Sequence, residues 1–156
     1  MQLQQIFTAR CIKVGLESEE KDELFEELVE LLDRDAGKAF PRGAALSAIR
    51  DRESKMSTGI KKGIALPHGK VSGISGLFGA IGISRRGIDY DALDGEPVYL
   101  VFLLISSPED SELHLSALKR LAGLLDDPEF YTQLLRADTP ERAFAILKSY
   151  EDVLHL

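Results

Sequence analysis

The run Val98-Tyr99-Leu100-Val101-Phe102-Leu103-Leu104-Ile105 constrains this chain more than any other segment, because it carries no charged residue. A strand with one solvated face alternates apolar and polar side chains, so an unbroken apolar run needs cover on both faces. The run is therefore expected to be a central strand, and the fold must bring helices to both sides of it. The flanking sequence supplies them. Ser18 offers an N-cap for a helix to about Asp33, with the stripe Leu24, Leu28, Leu31 and Leu32 at helical spacing. A second helix is expected from about Pro41 to Glu53, proline suiting a first helical turn. Ser107-Pro108-Glu109-Asp110 opens a leucine-rich helix to about Leu125. Short helices at Pro128 to Leu135 and from Thr139-Pro140-Glu141 to Tyr150 complete the set. Cys11 to Leu16, Ile64 to Leu66 and Leu77 to Ser84 read as the other strands. The expected fold is α/β, one domain over residues 1–156, with a mixed sheet of four or five strands sandwiched between helices.

Composition bounds the function. A formal charge of −7 argues against nucleic-acid binding, which calls for a basic face, and is compatible with docking a basic partner. The lone cysteine, Cys11, excludes an intramolecular disulfide and is expected to be a buried, inert thiol. No apolar run is long enough to span a membrane, and the N-terminus lacks the charged-then-apolar order of a signal peptide. A soluble cytoplasmic domain without membrane insertion is the expectation.

The chemistry is concentrated in Gly63-Ile64-Ala65-Leu66-Pro67-His68-Gly69. Pro67 fixes its own φ and pushes Leu66 toward an extended backbone. Gly69 permits positive φ or a close approach by another group. His68 thus stands on a stiff strand end, held firmly and open on one side. It is either a nucleophilic or ligating histidine, or one that merely ends a buried strand.

Two further residues converge on it by periodicity. In the second helix Ala45, Leu46, Ala48 and Ile49 define the apolar face. At ~100° per residue Arg52 falls about 40° from its centre and Arg50 about 120° away. Arg52 should therefore point inward, toward an anion or a structural carboxylate, and Arg50 toward solvent. His114 lies on the stripe His114, Leu118, Leu121, Leu125, early in its helix and just beyond the central strand. Sites of α/β sheets gather in that region, although a histidine on an apolar helix face can equally be a core residue.

Arg52-Glu53-Ser54-Lys55-Met56-Ser57-Thr58-Gly59-Ile60, followed by Gly63 to Gly69, resembles the active-site segment of the enzyme IIA proteins of the bacterial phosphoenolpyruvate:sugar phosphotransferase system, in their fructose/mannitol and nitrogen-regulatory class. Asp89 to Val98 resembles the family's link into its central strand, and His114-Leu115 with Leu118, Leu121 and Leu124-Leu125 its later histidine-bearing helix. The resemblance runs essentially from end to end. It implies that His68 accepts a phosphoryl group from the phosphohistidine of the carrier HPr and passes it to a IIB component, or, in a regulatory protein, holds it as a signal read by a binding partner. It further implies that His114 supports the site and that Arg52 faces the phosphoryl oxygens. Ser57 and Thr58 lie where hydroxyls or N–H groups could bind the same oxygens. The chain departs from the family at Lys61-Lys62, where a glycine and a small polar residue are usual.

The residue types suit those roles. A neutral imidazole is a nucleophile, and a guanidinium fork takes two oxygens without losing its proton. No cofactor or metal is required. The competing metal site, His68 and His114 with Asp94 or Glu112, lacks close ligand-pair spacing and would set a cation beside Arg52. A histidine-based hydrolase lacks a nucleophile elbow. Around the mouth of the site, Leu66, Ile64 and residues near Gly69 are expected to form an apolar rim for the donor.

Overall fold

The computed structural model describes residues 1–37, 40–60 and 62–154; Lys61 and the third histidine, His155, lie outside them. In chain order the elements are α1 (Leu3–Ile6), β1 (Ile12–Val14), α2 (Lys21–Ala36), α3 (Arg42–Lys55), β2 (Ile64–Ala65), β3 (His68–Lys70), β4 (Leu77–Ile88), β5 (Val98–Ser106), α4 (Ser111–Leu125), α5 (Pro128–Arg136) and α6 (Pro140–Asp152). Single 3₁₀ turns at Ala9–Cys11 and Pro108–Asp110 lead into β1 and α4.

The five strands form one mixed sheet in the order β1-β4-β5-β2, with β3 also on β5. β4 and β5 are antiparallel, whereas β1 on β4, and β2 and β3 on β5, are parallel. β5 is the buried strand that its apolar run demanded. Val101, Leu103 and Ile105 pack with Leu24, Leu28, Leu46 and Ile49 of α2 and α3. Leu100, Phe102 and Leu104 pack on the other face with Leu121, Phe130, Leu134 and Leu147 of α4 to α6. The alternation along one strand thus seeds two cores, one per face.

Pro67 shapes the edge beside β5. Without an N–H it cannot continue a ladder, and Leu66 N–H turns away to the Thr58 carbonyl (3.0 Å). The expected strand Ile64 to Leu66 therefore ends at Ala65, and a second short strand begins at His68. Two other sequence expectations shift for local reasons. Ser18 does not cap α2: its N–H and hydroxyl donate to the Glu27 carboxylate (3.0 and 2.6 Å), and the N-cap is Glu20. Cys11 closes a 3₁₀ turn rather than opening β1. Its thiol is 4% exposed and donates to Asp35 Oδ2 (3.4 Å). Burial and the Asp35 charge push it up to about 12, so the reading as an inert thiol agrees with its surroundings.

Candidate functional site

His68 opens β3 opposite Leu104 of β5. Its Nδ1 lies 2.8 Å from the Leu66 carbonyl oxygen. A carbonyl only accepts, so Nδ1 carries the proton and Nε2 keeps the lone pair. Partial burial lowers the His68 pKa; the bond to Leu66 opposes that shift and the nearby Arg52 charge reinforces it. The ring is therefore neutral at neutral pH and presents one basic nitrogen, as an attacking imidazole must.

Gly69 brings the arginine to it. A Cβ there would lie 3.0–3.1 Å from the backbone carbon and Cβ of Ala48 and the N of Ile49. A glycine is what lets α3 settle against β3, so the close approach is made by the chain's own helix. Arg52, one turn beyond Ala48, then lines an open cleft of about 600 Å³ with His68, Gly69 and Lys70. Its Nη1 donates to the Met56 carbonyl (2.9 Å), which leaves most of the guanidinium fork for the cleft. Arg50 points to solvent and pairs with Asp22 (2.7 Å) and Glu26 (3.1 Å) of α2. The angular separation of the two arginines is thus the one the helix period required. Lys55, paired with Asp51 (3.7 Å), and Lys70 are also on its wall, so the cleft keeps an excess of positive charge that suits an anion.

His114 joins from the other side of β5. It is 3% exposed in the first turns of α4, and its ring centroid is 5.4 Å from that of His68, at 65°. Its Nδ1 is 2.6 Å from Ser106 Oγ, and Nε2 has no hydrogen-bond partner among the described residues. Burial above all, with the Lys70 charge and the opposition that His68 would offer if protonated, drops its pKa to about 4, so it too is neutral. The structure therefore gathers His68, His114 and Arg52 into one place.

The loop residues divide. Ser57 is half-buried, and its Oγ accepts from Gly59 N–H (3.1 Å). Thr58 corrects the expectation of a phosphoryl-binding donor. It is 4% exposed, and both its N–H and its hydroxyl donate to the Glu53 carboxylate (2.8 and 2.5 Å). Glu53 is the residue that sequence reasoning missed. At 7% exposure it also receives Lys21 Nζ (3.0 Å) and Tyr90 Oη (3.2 Å). Burial alone would raise its pKa, but the bonds from Thr58 and Lys21 hold the carboxyl below its usual range. From Glu53 hydrogen bonds run through Thr58 to Leu66, and from the Leu66 carbonyl to His68. An acid four positions from the end of an apolar helix face gave no sign of this, since three of its partners lie on other segments. Removing the carboxylate strands those donors, so Glu53→Ala should cost about 3 kcal/mol, read as a lowered urea midpoint. Arg50→Ala, which breaks only surface pairs, should cost less than ~1 kcal/mol.

One other expectation changes. Ile64 is buried at 6% and cannot rim the site, while Leu66 is half-buried; the exposed apolar side chains next in sequence to site residues are Met56, Leu113 and Leu115. Asp94, named above only in the competing metal reading, spends its carboxylate on the N–H groups of Lys62 and Glu96. Among the described residues no three His, Cys, Asp or Glu side chains are grouped to hold a metal. Lys62 adopts φ +55°, the left-handed region that a short polar residue such as asparagine enters more readily than lysine, which gives the family's usual residue at this position a backbone reason.

The site is thus a neutral, tautomer-fixed histidine beside a second histidine and an arginine, on one α/β domain. Residues 5–150 match the family described as phosphoenolpyruvate-dependent sugar phosphotransferase system, EIIA 2, and the chain belongs to that family. It is 39% identical over 151 residues to the fructose-specific EIIABC component of Bacillus subtilis, covering 97% of this chain but 24% of that protein. It is 31% identical to the nitrogen regulatory protein of Pseudomonas aeruginosa, covering 94% of this chain and 95% of that one. The fold superposes on the crystal structure of the nitrogen regulatory protein IIA-Ntr from Neisseria meningitidis with a TM-score of 0.85 at 31% identity, covering 93% and 98% of the two chains. On IIA mannitol from Escherichia coli the TM-score is 0.75 at 20% identity, covering 90% and 97%, which shows the shared fold. No helix among the described residues is long and apolar enough to cross a membrane.

Proposed function

We propose that this chain is a cytoplasmic phosphoryl carrier that accepts a phosphoryl group from HPr on His68 Nε2 and passes it to a IIB component. One observation carries the reading. Nδ1 of His68 is tied to the Leu66 carbonyl, leaving the lone pair of a neutral ring on a cationic cleft beside Arg52. In the first step the N–P bond of the donor phosphohistidine breaks, and its electron pair returns to the donor nitrogen. The Nε2 lone pair of His68 forms the new N–P bond, and the second step reverses this toward the acceptor.

The protein's work is alignment and charge stabilisation. Arg52 presents paired N–H donors to the equatorial oxygens, and His114 Nε2 is the nitrogen available for a further contact. A structural neighbour, enzyme IIA mannitol of Escherichia coli, has been solved in complex with phosphorylated enzyme IIB mannitol, which supports a IIB acceptor here. Met56, Leu113 and Leu115 are the apolar residues we assign to the docking face, where they would shield the transferring group from water.

The nitrogen-regulatory reading has its own support in the near full-length likeness to the Pseudomonas protein. In it the same phosphoryl group on His68 is the signal, and a partner binds one phosphorylation state. Genes for a sugar permease beside this one favour transport, and nitrogen sigma-factor genes favour regulation. Incubation with phosphoenolpyruvate, enzyme I and HPr should add one phosphoryl group that is labile in acid and stable in base. A product stable in acid would exclude a phosphohistidine.

A further inference from the structure

Ser106 and His114 together raise a question that the phosphoryl-carrier reading does not answer: which nitrogen of His114 bears its proton. Ser106 is the last residue of β5 and is fully buried. Its backbone carbonyl accepts from Val71 N–H (2.8 Å), and its Oγ lies 2.6 Å from His114 Nδ1. The next residue, Ser107, spends its hydroxyl on Asp110 Oδ2 (2.7 Å), so the two adjacent serines serve different partners.

Two arrangements fit the 2.6 Å contact. In one, His114 Nδ1–H donates to Ser106 Oγ. Among the described residues the serine hydroxyl proton then has no acceptor, and the buried Nε2 lone pair has no donor. In the other, Ser106 O–H donates to Nδ1, and a single polar group, Nε2–H, is left without a partner. Leaving a buried donor unmade is expensive, and the first arrangement leaves both a donor and an acceptor so. The second is favoured on that count alone. It also has a use: a lone pair at Nε2 would repel phosphoryl oxygens, whereas Nε2–H would donate to them.

We propose that Ser106 is a positioning residue that fixes His114 as its Nε2–H tautomer, ready to donate to the phosphoryl group carried by His68. This rests on the reading of His68 as the phosphoryl acceptor. The strand and helix that hold the pair make it rigid. Ser106 ends β5, which is buried along nearly its whole length, and His114 lies on the same buried face of α4 as Ala117 and Leu121. The donor is thus built before the phosphoryl group arrives, which is the form in which a hydrogen bond contributes most to a transition state.

The test is made on the full chain with ¹⁵N-labelled histidine. Long-range ¹H–¹⁵N correlation spectra at neutral pH report which ring nitrogen of His114 is protonated, independently of any transfer. Wild type should show a protonated Nε2; a protonated Nδ1 overturns the proposal. Ser106→Ala should convert His114 to a mixture of tautomers and slow phosphorylation by HPr about tenfold to a hundredfold. Ser106→Thr, which keeps the hydroxyl, should restore both. An unchanged tautomer in Ser106→Ala overturns the proposal even if transfer slows. If Ser106→Ala does not fold, the wild-type and Ser106→Thr spectra still decide it, a protonated Nδ1 in either counting against it. Failure of wild-type His68 to take up phosphoryl would overturn the carrier reading instead, and the spectra would still report on Ser106.

Discussion

His68→Gln takes up no phosphoryl group from phosphorylated HPr, and His155→Gln takes up one. That contrast is expected because glutamine keeps a polar side chain of similar reach but has no nucleophilic nitrogen. Removing a covalent nucleophile costs on the order of 10⁶ in rate, which puts the product below detection. Folding should be little affected, since His68 is half-buried and its Nδ1 bond to the Leu66 carbonyl is a single contact that an amide N–H can replace. Full labelling of the glutamine variant would mean that another residue carries the group. The pH dependence follows from the same geometry. Only the neutral ring attacks, and burial and the Arg52 charge lower its pKa from the ordinary ~6.5. The rate of transfer, with the donor held in its phosphorylated form, should be level from pH 8 down to about 6.5 and fall only as the pH drops through the depressed value. A half-maximal rate above about pH 6.5 would contradict a lowered pKa.

Arg52→Ala is the second large effect. Loss of a charge-stabilising donor commonly reduces a transfer rate about a hundred- to thousandfold. The fold should tolerate the change, because the hydrogen bond described for the side chain goes to the exposed Met56 carbonyl and not to a buried carboxylate. Arg52→Lys should recover only part of the rate, since an ammonium is a point charge without the planar fork. Arg50→Ala provides the control within the same helix: its partners are Asp22 and Glu26 on α2, away from the cleft. Equal transfer rates in the two alanine variants would show that facing the cleft confers nothing. A urea midpoint for Arg52→Ala as low as that expected for Glu53→Ala would show that the arginine is structural.

The elements that were legible are those whose evidence is local. β5 announced itself by an apolar run, and α2 to α4 by stripes of period 3.6. Where an element depends on a distant partner, the sequence is silent. The helix Leu3–Ile6 has only four residues and too little intrinsic stability to be read from its sequence. It forms because the buried Glu151 carboxylate of α6 accepts the N–H groups of Leu3 (2.6 Å) and Gln4 (2.9 Å). Ser18 failed as a cap for the same reason, being drawn to Glu27, which lies beyond the first turn of α2.

The site shows the same division. The three residues we assign to it were identifiable from the chain itself, because each is marked by something local: His68 by the Leu-Pro-His-Gly stiffening, and Arg52 and His114 by their angular place on an apolar helix face. The two layers of cover, helices on either side of β5, were likewise determined by composition along a single strand. Only the tertiary structure decided what surrounds those residues. It assigned Thr58 to Glu53 rather than to the cleft, joined Lys21, Glu53 and Tyr90 in one buried polar cluster, and set Ser106 against His114. Periodicity reports which way a side chain points along its own element. A hydrogen bond between elements depends on how two backbones come to lie, and here that is set by packing at contacts such as Gly69 on Ala48, distances that no spacing in the sequence encodes.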